Sequence, residues 1–187
     1  MKERILTSLL TVFVISGIQA QAPSPVPKLV VGLTIDQLRA DYIEAFSALY
    51  GERGFKRLLK EGRIYTNAEY DFINVDRSSA TASIYTGTTP YYNGIPSNRW
   101  MDRGSLRIIK SVDDQDFMGV YTSESSSAKL LRCSTLSDEL KVATQGRAEV
   151  YSIAPTREMA ILAAGHAANG AFWLNDETGK WAGTTYY

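Results

Sequence analysis

Residues 74–100 read NVDRSSATASIYTGTTPYYNGIPSNRW, and this stretch decides the fold once it is joined to the apolar run 29–36, LVVGLTID. Ser78 to Thr86 starts on small hydroxyl residues, stops at Gly87 and is followed by Pro90, which is the pattern of a short helix with a glycine stop. The start of such a helix carries free N–H groups and the positive end of the dipole, with Asp76 or Ser78 as cap, so it attracts an anion. Leu29 to Ile35 is almost wholly apolar and rich in β-branched residues, as in a parallel strand covered on both faces, and Asp36 closes it. An acid at a strand end opposite a hydroxyl-rich helix start is how an open α/β sheet builds a site for a metal and a phosphate. The expected fold is α/β, a mainly parallel sheet flanked by helices.

Position alone leaves Asp36 with two readings, a metal ligand or the N-cap of a helix opened by Gln37-Leu38-Arg39. Gly54 to Gly62, GFKRLLKEG, places Phe55, Leu58 and Leu59 on one helical face, and Arg63 to Tyr70 alternates as a second strand, giving a β-α-β unit. Turn signals follow at Tyr92-Asn93-Gly94 and Pro96-Ser97-Asn98. From Asp102 to Lys129 the pattern is weak and reads as surface loop. Ser134 to Thr144 is an amphipathic helix with Asp138 and Glu139 in its first turn, and Ala148 to Ala154 is the next parallel strand. Pro155 to Ala164 follows as a helix, and residues 170–174 with 180–182 form a hairpin.

A chain of 187 residues holds one domain with a real core. Lys plus Arg equal Asp plus Glu at 20 each, so no overall field draws the chain to a nucleic acid polymer or an anionic membrane. Lys2 and Arg4 precede an apolar run from Ile5 to Ile18, and Ala20-Gln21-Ala22 offers a cleavage pattern, so residues 1–22 read as a secretory signal peptide. At about fourteen residues the run is shorter than the roughly twenty that span a bilayer, which argues against a stable membrane anchor. The folded part is then residues 23–187, periplasmic or secreted. Cys133 stands alone and offers no internal disulfide.

Five pieces in order, LVVGLTIDQLRADY, GFKRLLKEG, ASIYTGTTPYYNGIPSNRW, TLSDELKVAT and AGHAANGAFW, give the sequence a resemblance to the alkaline phosphatase superfamily. Within it the chain resembles the type I phosphodiesterase and nucleotide pyrophosphatase branch. The resemblance implies a hydrolase of small-molecule phosphate esters. In such enzymes two metal ions, usually zinc, clamp the ester while a Thr or Ser attacks phosphorus. It implies that Asp36 is a metal ligand and that the Asn98 amide donates to a phosphate oxygen.

Three departures accompany it. The position of the family's nucleophile falls on Arg77, which cannot attack phosphorus, leaving neighbouring Ser78 as a nucleophile candidate or as an inert helix-start serine. Arg77 is instead suited to gripping a phosphate or carboxylate through its planar fork. In place of a Lys and Arg pair that holds the charge of a monoester, the chain has Thr156-Arg157-Glu158. The single histidine, His166, lies in a segment associated with structure and reads as a packed or hydrogen-bonded imidazole, so Asp36 is the one family ligand in sight. The expectation is the N-terminal portion of a longer hydrolase, inactive as it stands. The alternative is a pseudoenzyme that uses Arg77 and the helix start to bind an anionic ligand or partner.

Overall fold

A computed structural model describes residues 26–187. The expected signal peptide lies outside the described residues. The chain divides into a unit ending at Gly32 and a unit from Leu33 to Tyr187. In the first, residues 26–32 form no helix or strand and are exposed.

The second unit opens with two short helices, α1 (Ala40–Ala45) and α2 (Phe55–Glu61), joined through a 3-10 turn at Ser47–Leu49. Then come α3 (Arg77–Thr86), the single-turn α4 (Pro90–Asn93) and an antiparallel hairpin of β1 (Arg99–Asp102) and β2 (Arg107–Lys110). The remaining elements are β3 (Gly119–Val120), α5 (Leu136–Ala143), β4 (Tyr151–Ala154), α6 (Arg157–Ala164), β5 (Gly170–Leu174) and β6 (Trp181–Thr184).

The larger sheet has the order β3-β6-β5-β4. Only β4 and β5 run parallel, while β5–β6 and β6–β3 are antiparallel. The mainly parallel sheet expected from the sequence is therefore corrected, among the described residues, to an antiparallel hairpin and one small four-stranded sheet of mixed sense. The main reason is the run Leu29–Ile35, which forms no strand: Leu29, Val31 and Leu33 are each more than three-quarters exposed. A strand apolar on both faces is stable only between neighbours that hydrogen-bond its edges and helices that cover it. Arg63–Tyr70 forms no strand either, so the expected β-α-β unit is absent although its helix is present as α2. The weakly patterned stretch after Asp102 was expected to be loop and instead contains β2 and β3.

From β4 onward the expected order holds. β4, α6 and β5 make a parallel β-α-β unit, and β6 returns as the second arm of the hairpin. α6 packs against β4 and β5 and also against α3, so an eight-residue helix buries Met159, Ala160, Ile161, Leu162 and Ala164. Ser78, Ser79 and Ala82 on α3 are small and buried, which lets helix axes approach closely. Ile161 and Leu162 are fully buried, and each contributes about 1.5–3 kcal/mol by leaving water. Trp173 of β5 completes the core at 2% exposure.

Candidate functional site

The site grows from the start of α3. Asp76 is its N-cap, accepting from Ser79 N at 2.9 Å, while Ser79 Oγ accepts from Asp76 N in return. This reciprocal box satisfies two of the N–H groups that a helix start leaves open. The other carboxylate oxygen of Asp76 accepts from Ser97 Oγ at 2.7 Å and from Asn98 N at 2.6 Å. One side chain thus starts the helix and holds a loop 22 residues downstream across it. Burial opposes the charge on Asp76, but the donors from Ser79, Ser97 and Asn98 outweigh it and keep the carboxyl below the usual carboxylate range.

Ser78 lies one residue into the helix and is fully buried. Its Oγ donates to Asn98 Oδ1 at 3.0 Å and lies 3.1 Å from the equally buried Ser111 Oγ. With its single proton directed at Asn98, Ser78 receives the proton of Ser111. The backbone carbonyl of Asn98 accepts from Ser111 N at 2.9 Å. The amide of Asn98 is therefore oriented: its oxygen faces the helix, and among the described residues no protein acceptor takes its Nδ2–H donors.

Asp36 occupies a tight turn in which Gln37 adopts φ 58°. α1 begins four residues later with Arg39 as its N-cap, so Asp36 caps no helix. Its Oδ2 accepts from Arg77 Nε at 2.9 Å, with 38% and 44% of the two side chains exposed. The acid and the helix start that the sequence placed opposite each other do meet, through Arg77. A pair this open to water contributes at most about 1 kcal/mol. Thr34 Oγ1 lies 3.3 Å from Tyr85 Oη and adds a second tie between this segment and α3. Burial, followed by the negative charge of Asp36, raises the pKa of Tyr70.

The zinc pair implied by the resemblance does not fit this residue set. Among the described residues, no group of three or more His, Cys, Asp or Glu side chains is placed to share a metal ion. A single zinc site wants three or four protein ligands, and Asp36 is engaged by a guanidinium. The corner presents a carboxylate paired with a cation, a capped helix start and one outward amide. Chemically it can hydrogen-bond an oxyanion; among the described residues, no His, Asp, Glu or Lys side chain hydrogen-bonds Ser78 Oγ, whose partners are Asn98 and Ser111.

Arg157 and His166 have structural surroundings. Arg157 is 5% exposed at the start of α6 and donates from Nη2 to Asp113 at 2.8 Å and from Nη1 to Ser126 Oγ at 3.2 Å, with Glu124 and Glu158 nearby. Its Nε is buried without a partner. Asp113 and Glu124 come from the stretch read as surface loop, where no local pattern marks a contact made over 44 residues. The same stretch supplies Asp114, buried and engaged by Ser127 and Lys129, which sequence reasoning also missed.

His166 has both ring nitrogens engaged, Nδ1 with Asp138 Oδ2 at 3.0 Å and Nε2 with the Leu131 carbonyl at 3.0 Å. Both partners only accept, so the doubly protonated ring alone satisfies both. The hydrogen bond to Asp138 is the main cause of a raised His166 pKa. Asp138 also accepts from Thr135 N and from the backbone of His166 and Ala167, and it ties α5 to the loop after α6. Burial opposes its charge, but these donors dominate and hold its pKa far below the ordinary value.

The profile of the type I phosphodiesterase / nucleotide pyrophosphatase family matches residues 30–187. The chain is 42% identical over 164 residues to alkaline phosphatase PhoV of Synechococcus elongatus, covering 86% of this chain and 30% of that protein. It is 37% identical over 186 residues to alkaline phosphatase PafA of Elizabethkingia meningoseptica, covering 96% and 34%. A crystal structure of wild type alkaline phosphatase PafA superposes with a TM-score of 0.83 at 36% identity, over 87% of this chain and 32% of the other. The chain spans about a third of the length of these curated relatives.

Proposed function

The chain belongs to the type I phosphodiesterase / nucleotide pyrophosphatase family, and from that premise we propose that it supplies the N-terminal corner of a phosphoric-ester hydrolase of the alkaline phosphatase kind. The observation that carries this reading is the Ser78–Asn98 hydrogen bond. By engaging the amide oxygen, the buried serine turns the two amide donors outward, fixed before any ligand arrives. A donor held in advance where oxyanion charge develops is worth more than one that must reorient, because it costs no rearrangement during the reaction. Ser78 positions Asn98 in this scheme, and its burial keeps it from phosphorus. Asp36 is the residue that would join a metal when further ligands are supplied. Among the described residues the corner offers no accessible nucleophile and no cluster of metal ligands, so the attacking group and the remaining ligands would have to come from outside it, and the 187-residue chain is expected not to turn over a phosphate ester.

The test is to express the reading frame to its stop codon and follow zinc content and hydrolysis of 4-nitrophenyl phosphate beside the 187-residue chain. The longer protein is expected to bind zinc and hydrolyse the ester, with Asn98→Ala lowering kcat/KM by about 10²–10³-fold. No hydrolysis by the longer protein, or appreciable turnover by the 187-residue chain, overturns the reading.

A second reading is favoured by the Asp36–Arg77 ion pair, which supplies by guanidinium the positive charge a metal would bring. It makes the protein a non-catalytic relative that binds an anionic ligand or partner at the Asn98 corner. The outcome that supports it is phosphate binding by the longer protein with neither zinc nor turnover.

A further inference from the structure

A second concave site lies between α4, the β1–β2 hairpin and residues 129–132. It encloses about 570 Å³, and its walls include Tyr91, Pro96, Trp100, Ile109, Leu130 and Arg132. That volume falls within the roughly 300–1,000 Å³ of small-molecule pockets, and so does the composition of apolar and aromatic walls with a few polar groups.

Its floor is held by the backbone. Arg132 N donates to the Asn93 carbonyl at 2.9 Å, and Gly94 at φ 83° brings α4 so close that a Cβ there would lie 2.8 Å from the Leu130 carbonyl oxygen and 2.9 Å from Arg132 Cγ. The arginine stem therefore lies along a glycine with no room for a side chain between them.

The charged groups around it differ in the partners they already hold. Lys129 also lines the cavity, but its ammonium is engaged by Asp114 and Asp116. Asp102 lines it too, with a carboxylate turned to its own hairpin, accepting from Ser105 N at 2.8 Å and Ser105 Oγ at 2.6 Å. Among the described residues, no carboxylate pairs with Arg132. Arg132 is thus the one charged side chain of this lining whose polar atoms hold no side-chain partner among the described residues, in a groove whose other walls include an indole and a phenol ring.

We propose that this groove binds a planar aromatic ring carrying an anionic group. The ring lies on Trp100 and Tyr91, and the anion takes the fork of Arg132. Guanidinium matches a carboxylate through two parallel N–H donors, and aromatic walls favour a flat ligand over an inorganic ion.

The test is titration of the 187-residue chain with 2-naphthoate, followed in ¹H–¹⁵N spectra. Binding here is read apart from the Asn98 corner by location, since the backbone and side-chain amide signals of Asn98 are expected to stay in place. Saturable shifts are expected at the Trp100 indole N–H and at the amides of Gly94, Leu130 and Arg132, with a Kd below about 1 mM. Arg132→Gln is expected to weaken binding by about ten-fold or more, the loss of a charge-assisted bond, while Arg132→Lys loses less. Neutral 2-naphthylmethanol on the unmodified protein tests the charge without any substitution and is expected to bind at least about ten-fold more weakly. Shifts that do not saturate, shifts centred elsewhere, equal binding by Arg132→Gln, or equal binding of the alcohol each overturn the assignment.

Discussion

Replacing Asp76 with alanine should unfasten two parts of the chain at once. The substitution removes the acceptor for Ser79 N, a helix cap whose loss typically costs about 1 kcal/mol. It also removes the acceptor for Ser97 Oγ and Asn98 N, bonds that contribute about 0.5–1.5 kcal/mol each at a half-exposed carboxylate whose donors can be rehydrated. The expected loss is about 2–4 kcal/mol, a large share of the roughly 5–15 kcal/mol that holds a domain together. Asp76→Asn keeps a cap and one acceptor oxygen and should lose about half as much. Urea unfolding followed by far-ultraviolet circular dichroism gives the energies, and the ¹⁵N shift of the Asn98 amide reports whether the loop has left the helix. An alanine variant within about 0.5 kcal/mol of the parent would refute the reasoning, as would an Asn98 amide that does not move.

Two other perturbations follow from the same kind of accounting. His166 has a pKa raised above 6.5, so its contribution is complete below that value and is lost as the pH rises through the folded-state pKa. The urea midpoint should therefore fall as the pH rises above 6.5, and His166→Gln should flatten that slope; matching slopes would exclude the pair as its source. Asp138 is depressed, so its share persists above 3.8 and is lost only in stronger acid. Gly165→Ala should destabilise by about 3 kcal/mol or more, because φ is 75° and the new Cβ would sit 2.2 Å from Thr135 Oγ1 and 2.6 Å from Asp138 Oδ2. Gly87→Ala, at φ 67° in open space, should lose only about 1 kcal/mol, and equal losses in the two melting curves would contradict the steric assignment.

The parts of the chain that could be read from sequence are those whose determinants are local. Thr135 with Asp138 is a capping box that spans four residues, and α5 starts there. The apolar segment after Pro155 gives α6, and the alternation around Asn175 to Gly179 gives β5 and β6. Leu29–Ile35 was misread because its composition states only that it suits a covered strand. Whether it becomes one depends on neighbours that composition does not name. β1 and β2 were overlooked despite an available signal, since Arg99–Asp102 and Arg107–Lys110 flank a Gly-Ser turn. At the candidate site, the meeting of Asp36 with the start of α3 was legible. That Arg77 is suited to a carboxylate was legible too; that the carboxylate is Asp36, and that Asp76 reaches over to Asn98, was not, because these are side-chain choices set by packing between distant segments.

The three tryptophans sit in unlike surroundings. Trp173 is sealed in the core with its indole nitrogen unpartnered, whereas Trp181 on the adjoining strand is 56% exposed and Trp100 opens onto the cavity beside α4. The emission of the folded protein is consequently a sum of one dry fluorophore and two wetted ones. Iodide in the buffer can darken the wetted pair while the third keeps shining until the chain itself comes apart.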